Sequence, residues 1–597
     1  MGATPAPGPA TNAGPLPSGA VTSQRAAGTV PASPAATASP PAPAQGSVNV
    51  PRASAAPTAS PGGGSATTPA PGVAPPGVAP APGGSPAPEL SASPGVPSEA
   101  SPTPSPSPSP TPVPIIADPP SPSVEPGLVV QVRLSGIYGT IVATSAAPQI
   151  ADVTADQDQR VLSITGRAVG TTVITVKDDR GVITRDIPVR VAYAAGTIAD
   201  QVSIRVTGNP DTTSFLSEAA ADAAQRAATL RPGASAQVSP DALNVHGNLG
   251  VDDRTSIDVP VQLTGNGYLP VNGTTRVDIE NYALPNIQPA RLLVSDYPET
   301  LSANGVLFTA DLDRRNAQRF LYYHYNPVTQ PGRRILLRAT NPSAQPATLQ
   351  FISGSAGPGT NEMEVGHLST QRFLVRELQN EGSVVTIPPN STLNIVDHPL
   401  PPGMIVSAIL QLREIAGDPI HLTLLAQDAS APLDQSVDAT QLLSGGVRHA
   451  RGEYQVPQFY FDYSYPVGGD NLEIPIGQLP LPNLRQGEAL AGDYGVQQAI
   501  TVTIVNSGVA ATPVAIYANP RGGRATGTFL IDRTLVQTHA LPSFSRYKIW
   551  QETIAAHTFR RVQIITMPEG GSSYPLRLIF APDDGSVSPG APGSPVY

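Results

Sequence analysis

The fold class is clearest in residues 161–181, which read VLSITGRAVGTTVITVKDDRG. Apolar and polar residues alternate on both sides of the central Ala-Val-Gly, and this period of two is typical of half-buried β-strands. The stretch closes on Asp178, Asp179, Arg180 and Gly181, which favour a tight turn before the next apolar run. We therefore predict a β-hairpin here and a mainly β protein.

The flanking residues extend the same pattern. Short alternating runs precede the hairpin (LVVQVRL and TIVATS) and another follows it (TRDIPVRVAY). Together, residues 127–193 resemble bacterial immunoglobulin-like modules and the N-terminal domain of pilus-formation proteins. The resemblance implies an immunoglobulin-like β-domain at 126–195 and, because one fold serves many functions, no particular activity.

The first 120 residues hold 32 of the 70 prolines and only five charged side chains. Such a composition lacks the apolar surface needed to offset a backbone ordering cost of about 1–2 kcal/mol per residue. We predict that residues 1–125 are a disordered Pro/Ala/Ser-rich tail and stalk, with a stiffer polyproline II spacer at 101–114. Residues 584–597 are predicted to form a disordered C-terminal tail.

The next segment, 196–288, is predicted to be a small α/β module with one helix. Asp211 or Thr212 can cap the start of the helix, alanines recur on one face, and Pro232-Gly233 ends it. A thin alanine face indicates close packing against a sheet.

Two further β-sandwich domains are predicted at 289–435 and 450–583. Their sequences share an order of features, in ILLRATNPSAQPATLQFISGSAGPG and ITVTIVNSGVAATPVAIYANPRGG. Each runs from a strand through an Asn-containing turn to a second strand and a Gly-rich loop. That order is common in immunoglobulin-like sandwiches.

Aromatic residues cluster in two of the predicted strands, RFLYYHYNP at 319–327 and QFYFDYSYP at 458–466. Tyrosine offers an apolar ring with a polar tip, which suits stacking on a sugar ring or a protein partner. The predicted ligand-binding residues are Tyr322, Tyr323, Tyr325 and Tyr460. Ordinary packing in sandwich cores is the other interpretation of both clusters, and alternation along the strands favours it.

No motif for catalysis is present in the sequence. Cysteine is absent, which excludes thiol chemistry and disulfides, and none of the eight histidines has zinc-site spacing. His367, near Glu362 and Glu364, falls in a Gly-rich segment that we predict to be a solvated loop. We predict that the protein is not an enzyme, with no catalytic residues, no metal site and no cofactor.

Charge and hydropathy limit the partners. The net charge is −10 and the basic residues are scattered, so nucleic acid is not a predicted partner. The longest apolar stretch is too short to cross a bilayer, so no transmembrane segment is predicted, and residues 1–25 lack the features of a signal peptide.

These features predict a non-enzymatic cell-envelope or secreted bacterial surface protein with a structural scaffold or adhesion role. Its expected partner is a protein or glycan at the cell surface. One alternative is an accessory component of a pilus or secretion apparatus. Another is a carbohydrate-binding module protein or carbohydrate-active enzyme, because of the tyrosine clusters.

Overall fold

The computed structural model describes residues 113–181, 183–313 and 316–586, and it is mainly β with two α-helices in those ranges. Of the two predicted tails, residues 1–112 and 587–597 lie outside the described residues. Neither described helix combines the length and the apolar character that crossing a membrane requires.

The first domain is a β-sandwich, as predicted. Its strands are β1 (Ile116–Asp118), β2 (Ser123–Val124), β3 (Val129–Ser135), β4 (Val142–Ser145), β5 (Ala151–Asp156), β6 (Val161–Gly166), β7 (Gly170–Lys177) and β8 (Thr184–Val191). They form two sheets, ordered β1-β3-β6-β5 and β2-β8-β7-β4. The predicted hairpin joins β7 to β8, with Lys177 opposite Thr184. Apolar side chains that alternate along the strands meet between the sheets, Leu162 and Ile174 among them.

This sandwich begins earlier than the sequence analysis placed it. Residues 113–125, assigned there to the stalk, contain β1 and β2, which pair with β3 and β8. Ile115, Ala117 and Val124 are almost fully buried in the core. The apolar side chains allow this segment to form strands despite its prolines, because the prolines fall between the two strands or at their ends.

The α/β segment follows directly. It contains β9 (Gly196–Thr197), β10 (Gln201–Thr207), α1 (Thr213–Ala227), β11 (Thr229–Leu230), β12 (Ala234–Gln237), a 3-10 turn (Pro240–Ala242), β13 (Arg254–Gly265) and β14 (Val271–Asn281). The Thr212 hydroxyl accepts a hydrogen bond from the Phe215 N–H and so caps α1, as predicted. Ala220 and Ala224 are buried on the face that packs on the sheet.

The central part is a second sandwich with a helix on its outer side. Its elements are β15 (Pro289–Ser295), β16 (Gly305–Asp311), β17 (Ala317–Asn326), β18 (Arg333–Asn341), β19 (Ala347–Gly359), α2 (Glu362–Gln379), β20 (Gly382–Ile387), β21 (Ser391–Leu400), β22 (Met404–Ala416), β23 (His421–Asp428) and β24 (Arg451–Tyr454). One layer is the four-stranded sheet β16-β23-β18-β21. The facing layer belongs to a ten-stranded sheet ordered β12-β13-β14-β10-β20-β19-β22-β17-β15-β24.

The ten-stranded sheet crosses the predicted boundary at residue 288. Strand β10 pairs in parallel with β14 on one side and antiparallel with β20 on the other. The α/β segment and the central sandwich therefore share one hydrogen-bonded sheet. Strand β24, expected in the last domain, pairs instead with β15 at the end of this sheet.

Helix α2 corrects the expectation of a solvated loop around His367. Asn361 caps its N-terminus, Glu364 lies in the first turn, and Asn380 ends it in the left-handed conformation with φ of 58°. The glycines before and inside the helix suggested a loop, although these capping signals were present in the sequence. The protein therefore has two described helices rather than one.

The last domain is the predicted third sandwich. Its strands are β25 (Gln458–Pro466), β26 (Leu472–Ile476), β27 (Gln497–Asn506), β28 (Thr512–Pro520), β29 (Ala525–Ile531), β30 (Thr534–Leu541), β31 (Tyr547–Ile554), β32 (Thr558–Thr566) and β33 (Leu576–Pro582). They form sheets ordered β25-β27-β32-β29-β30 and β26-β33-β28-β31. Ile500, Val514 and Phe580 lie in the core between the two sheets.

Candidate functional site

The tyrosines of β17 are placed mostly inside the protein. Tyr322 is fully buried, Tyr323 is 7% exposed and Tyr325 is half-buried. The Tyr322 hydroxyl lies 2.9 Å from Nδ1 of His398 within the sandwich. Tyr322 and Tyr323 are thus out of reach of an external partner in this structure.

Both faces of β17 are covered, so this aromatic cluster packs inside the protein. The strand lies between β15 and β22, and Tyr322 packs with Phe320 against the opposite sheet of the sandwich. Tyr323 packs on the other face against Val365 of α2. Because α2 was not predicted from the sequence, the covering of this second face was not foreseen.

Strand β25 places its aromatic residues differently. Phe461 and Tyr463 are half-buried and Tyr465 is fully buried, whereas Tyr460 on the alternate face is 69% exposed. The strand is the outermost of its sheet and pairs in parallel with β27. Among the four predicted tyrosines, Tyr460 is the one that a partner can reach freely, and its role in binding stays a prediction.

The strongest polar arrangement joins the central and last sandwiches. Arg319 of β17 is completely buried, and its Nη2 lies 2.9 Å from Oε1 of Glu377 on α2. Its Nη1 donates to the carbonyl of Pro457 at 2.7 Å, and Nε2 of Gln497 donates to the other Glu377 oxygen at 2.8 Å. We call Arg319, Glu377 and Gln497 the polar lock.

The polar lock is an ion pair in an apolar setting. Burial lowers the pKa of Arg319, and the adjacent Glu377 carboxylate opposes that shift. Arginine nevertheless stays protonated at physiological pH. The lock therefore pairs a protonated guanidinium with the Glu377 carboxylate. Each group is hydrogen-bonded to the other and to the last sandwich, while Nε of Arg319 is buried without a hydrogen-bond partner among the described residues.

A second polar contact between the same regions involves His367 of α2. Its Nδ1 lies 2.9 Å from Oε2 of Glu569, and its Nε2 lies 3.0 Å from the amide nitrogen of Gln537. The hydroxyl of Thr526 also donates to Glu569. Both ring nitrogens are thus engaged with the last sandwich, which suits a structural contact better than proton transfer to a substrate.

The two partners shift each other's ionisation. Burial alone would lower the pKa of His367, but the Glu569 carboxylate outweighs it and the pKa of His367 is raised. Burial opposes ionisation of Glu569, but the charge and hydrogen bond of His367 and the threonine hydroxyls hold its pKa below the ordinary value. Both shifts favour the charged pair, in which Nε2 of His367 carries a proton and is satisfied when the Gln537 amide presents its oxygen to it.

A third cluster combines residues that can ligate a metal ion. Asp296, Glu299 and His449 are half-buried, and one ligand atom from each lies within 4.8 Å of the others. No metal site was predicted from the sequence, because the histidines lack the short-range spacing of zinc ligands. The three residues are brought together by the pairing of β15 with β24, a signal that is not local in the sequence.

One family model matches part of the chain. Residues 142–192 match the N-terminal region of pilus formation proteins, which confirms the resemblance inferred for the first sandwich. The match covers β4 to β8 and none of the three polar clusters described above. No curated protein sequence is significantly similar to this chain.

Similar solved structures include domains 5–6 of the S-layer protein SbsC, with 14% identity, covering 28% of this chain and 96% of that one at a TM-score of 0.13. Another is the SGBP-B protein of a Bacteroides ovatus mixed-linkage glucan utilization locus, with 10% identity, 51% and 70% coverage and a TM-score of 0.13. A third is a SusE-like surface-located polysaccharide-binding protein of Bacteroides thetaiotaomicron, with 11% identity, 37% and 41% coverage and a TM-score of 0.11. Similarity at this level says nothing about what the present protein binds.

Proposed function

We propose that this protein is a non-enzymatic scaffold of a bacterial cell envelope that holds its β domains in a fixed arrangement for a protein or glycan partner. The observation that carries the proposal is the polar lock. It ties the central sandwich to the last one through hydrogen bonds from Arg319 to the Pro457 carbonyl and from Gln497 to Glu377, at an ion pair that is almost fully buried.

A buried ion pair suits a scaffold because it fixes the relative placement of the domains. Removing two charges from water offsets most of their attraction, so such a pair adds little net stability compared with apolar packing. Its hydrogen bonds, however, are satisfied in one relative placement of the domains. Arg319 contacts Glu377 and the Pro457 carbonyl together, and this requires both sandwiches to be in register.

The contact around His367 supports the same role. Gly366 of α2 lies so close to Gly570 that a β-carbon at position 366 would overlap the Gly570 carbonyl oxygen. Helix α2 thus packs on β19 with one side and on the last sandwich with another. A close backbone contact flanked by two buried ion pairs favours a rigid junction over a flexible linker.

The second candidate function is an accessory component of a pilus or secretion apparatus. The match of residues 142–192 to pilus formation proteins favours it. In this version the first sandwich provides the contact with the apparatus, and the rest of the chain holds it in place.

Localisation tests what both versions share. We expect fractionation of the native host to recover the protein in the envelope or medium, and mass spectrometry of its first residue to define the mature chain. Recovery in the cytosol would contradict both.

The partner distinguishes the two versions. Crosslinking in intact cells, followed by purification, should recover pilus or secretion components if the accessory role is correct. A scaffold with a glycan or surface-protein partner should instead be recovered without them. In a glycan or cell-binding assay, Tyr460→Ala tests the exposed tyrosine, and Tyr138→Ala serves as a matched control because Tyr138 is 53% exposed on the first sandwich.

A further inference from the structure

The cluster of Asp296, Glu299 and His449 lies at the end of the β15–β24 pair. Asp296 directly follows β15, and His449 lies two residues before β24. Oδ2 of Asp296 is 3.7 Å from Nδ1 of His449, and Oε2 of Glu299 is 3.1 Å from its Nε2. The imidazole ring is therefore placed between two carboxylates from the same short turn.

The turn that carries both carboxylates is held in place by hydrogen bonds to its backbone groups. Four hydrogen bonds fix it: Asp296 N–H to the Ala450 carbonyl (3.0 Å), Arg451 Nη1 to the Tyr297 carbonyl (3.0 Å), His324 Nδ1 to the Pro298 carbonyl (3.0 Å) and Tyr325 N–H to the Glu299 carbonyl (2.8 Å). Burial lowers the pKa of His324 to about 4, so this ring is neutral and donates through Nδ1. Ligands fixed in this way are characteristic of built ion sites.

One polar atom of the site, Oδ1 of Asp296, is buried and has no hydrogen-bond partner among the described residues. Buried polar atoms without partners are unfavourable unless a further group satisfies them.

The charge at the site is also unbalanced. The carboxylates of Asp296 and Glu299 both approach the His449 ring, at 3.7 Å and 3.1 Å from its two nitrogens. Arg451 of β24 directs Nη1 to the Tyr297 and Leu443 carbonyls instead. A cation bound by the two carboxylates and one ring nitrogen would relieve the repulsion of the carboxylates and provide a partner for the buried oxygen.

We propose that Asp296, Glu299 and His449 bind one divalent transition-metal ion of the Zn²⁺ or Mn²⁺ type. Two carboxylates and one imidazole form a mixed oxygen and nitrogen donor set, which suits these ions better than a set of carboxylates alone. Three protein ligands leave at least one coordination position for water.

The ion would fix the end of the long segment that connects β23 to β24. His449 ends the segment that leads from β23, which finishes at Asp428, to β24. Binding His449 to Asp296 and Glu299 fixes the end of that segment against the ten-stranded sheet, next to the point where the chain enters the last sandwich. The ion would thus add a third fixed contact to the polar lock and the pair of His367 and Glu569.

Titration of the untagged full chain with Zn²⁺, after treatment with a chelator, tests the proposal. We expect isothermal titration calorimetry at pH 7.5 to show one tight site per chain. Asp296→Asn and His449→Ala should each weaken binding at least tenfold. His421→Ala is the matched control, because His421 pairs with Asp311 at 2.8 Å on the surface but belongs to no group of three ligand residues in the described part of the chain. It should leave the tight site unchanged.

Co²⁺ provides an independent readout. Its visible absorption reports coordination by nitrogen, so the native chain should give a d–d band that His449→Ala removes and His421→Ala retains. The proposal is overturned if no stoichiometric site is found, or if binding persists in both Asp296→Asn and His449→Ala. It is also overturned if the cluster shows only pH-dependent stability without metal uptake, since a protonated His449 would then balance the carboxylates.

A thermal measurement separates loss of the site from loss of the fold. Because Asp296→Asn removes one of two repelling carboxylates, the metal-free variant should melt at or above the temperature of the metal-free native chain. Only the native chain should gain melting temperature when Zn²⁺ is added. An equal gain in both proteins would contradict the assignment of Asp296 as a ligand.

Discussion

Asn341 and Asn506 perform the same task at the ends of equivalent strands in two sandwiches. The Asn341 Nδ2 donates to the Gln345 carbonyl within its turn at 2.7 Å and to the Ile387 carbonyl on β20 of the facing sheet at 3.1 Å. Asn506 is also buried and donates in the same manner, to the carbonyls of Ala510 in its turn and Ile554 on the facing sheet, both at 2.9 Å. In each sandwich one amide thus joins a turn to the facing sheet, which gives a physical reason for the shared order of features in the two sequences.

The pair of His367 and Glu569 predicts a pH-dependent stability. The pKa of His367 is raised from 6.5, so its contribution is complete below that value and is lost as pH rises through the folded-state pKa. The pKa of Glu569 is lowered from 4.5, so its contribution is complete above that value and is lost as pH falls through the folded-state pKa. The pair should therefore stabilise most between these values.

The measurement compares the native chain with His367→Gln. We expect the difference in free energy of unfolding to be larger at pH 5.5 than at pH 8.5, by denaturant titration. His421→Gln, which alters an exposed pair, should show little effect at either pH. A difference for His367→Gln that is the same at both pH values would contradict the charged pair.

The polar lock predicts a large effect from a single substitution. Arg319→Ala leaves the Glu377 carboxylate buried without its cation, and breaking such a pair costs about 3–5 kcal/mol. Arg334→Ala removes a more exposed ion pair with Asp397 and should cost less than about 1 kcal/mol. Denaturant titration of both variants measures the two costs. If Arg319→Ala is as mild as Arg334→Ala, the lock is not what holds the domains.

At the scale of elements, α2 is central because it contacts both the ten-stranded sheet and the last sandwich. Its N-terminal cap, acidic first turn and left-handed Asn380 were all readable in the sequence. The glycines around it favoured a loop instead. Gly366 is there because the backbone of Gly570 approaches the helix closely, a reason that only the tertiary structure reveals.

Gly366→Ala tests that contact. On an exposed helix this change stabilises by up to about 1 kcal/mol, because alanine has the higher helix propensity. Here the added methyl group would overlap the Gly570 carbonyl oxygen, so we expect a destabilisation of about 1–3 kcal/mol. Thermal unfolding measures the effect.

Gln371→Ala on the same helix is the control. It also raises helix propensity but lies at a half-buried position away from Gly570, so it should be nearly neutral. A stabilising effect of Gly366→Ala would show that α2 and the last sandwich are not in close contact in solution.

The strands were more predictable than their surroundings. Alternation along β3, β6 and β7 located the first sandwich, because each strand has one buried and one exposed face. Alternation could not divide Tyr322 from Tyr323 in this way, since β17 is covered on both sides and its pattern carries no exposed face. Of the four tyrosines predicted to bind a ligand, Tyr322 and Tyr323 are buried, Tyr325 is half-buried and Tyr460 is exposed.

At the scale of the whole molecule, the first sandwich and the α/β segment should behave differently as fragments. The sheets of the first sandwich are formed entirely within residues 116–191, so a fragment of residues 113–195 should fold alone and unfold cooperatively. A fragment of residues 196–288 keeps β10 but lacks β20, which leaves an unpaired edge next to the strand. We expect it to aggregate or remain unfolded, by circular dichroism and size-exclusion chromatography. A soluble, folded 196–288 fragment would contradict the importance of the shared sheet.

The three polar clusters mark the limit of sequence reasoning at this scale. Arg319 and Glu377 are separated by 58 residues, and His367 and Glu569 by 202. No local pattern predicts these two pairs, because the placement of α2 between two sandwiches brings them together. The third cluster depends on the pairing of β15 with β24. Composition and periodicity described the separate domains, whereas the contacts between them required the structure.

The ten-stranded sheet also constrains the order in which the chain can fold. Arg291 at β15 meets Glu453 at β24, a partner 162 residues further along the chain. At about 5–20 residues per second, synthesis of that interval takes roughly 8–30 s, during which the edge of β15 has no partner. The sheet cannot be completed domain by domain as the chain emerges, and such long-range pairing is intrinsically slow. The sheet therefore stays incompletely folded for seconds. During that time chaperones, or a transport machinery that accepts unfolded polypeptides, can bind the chain.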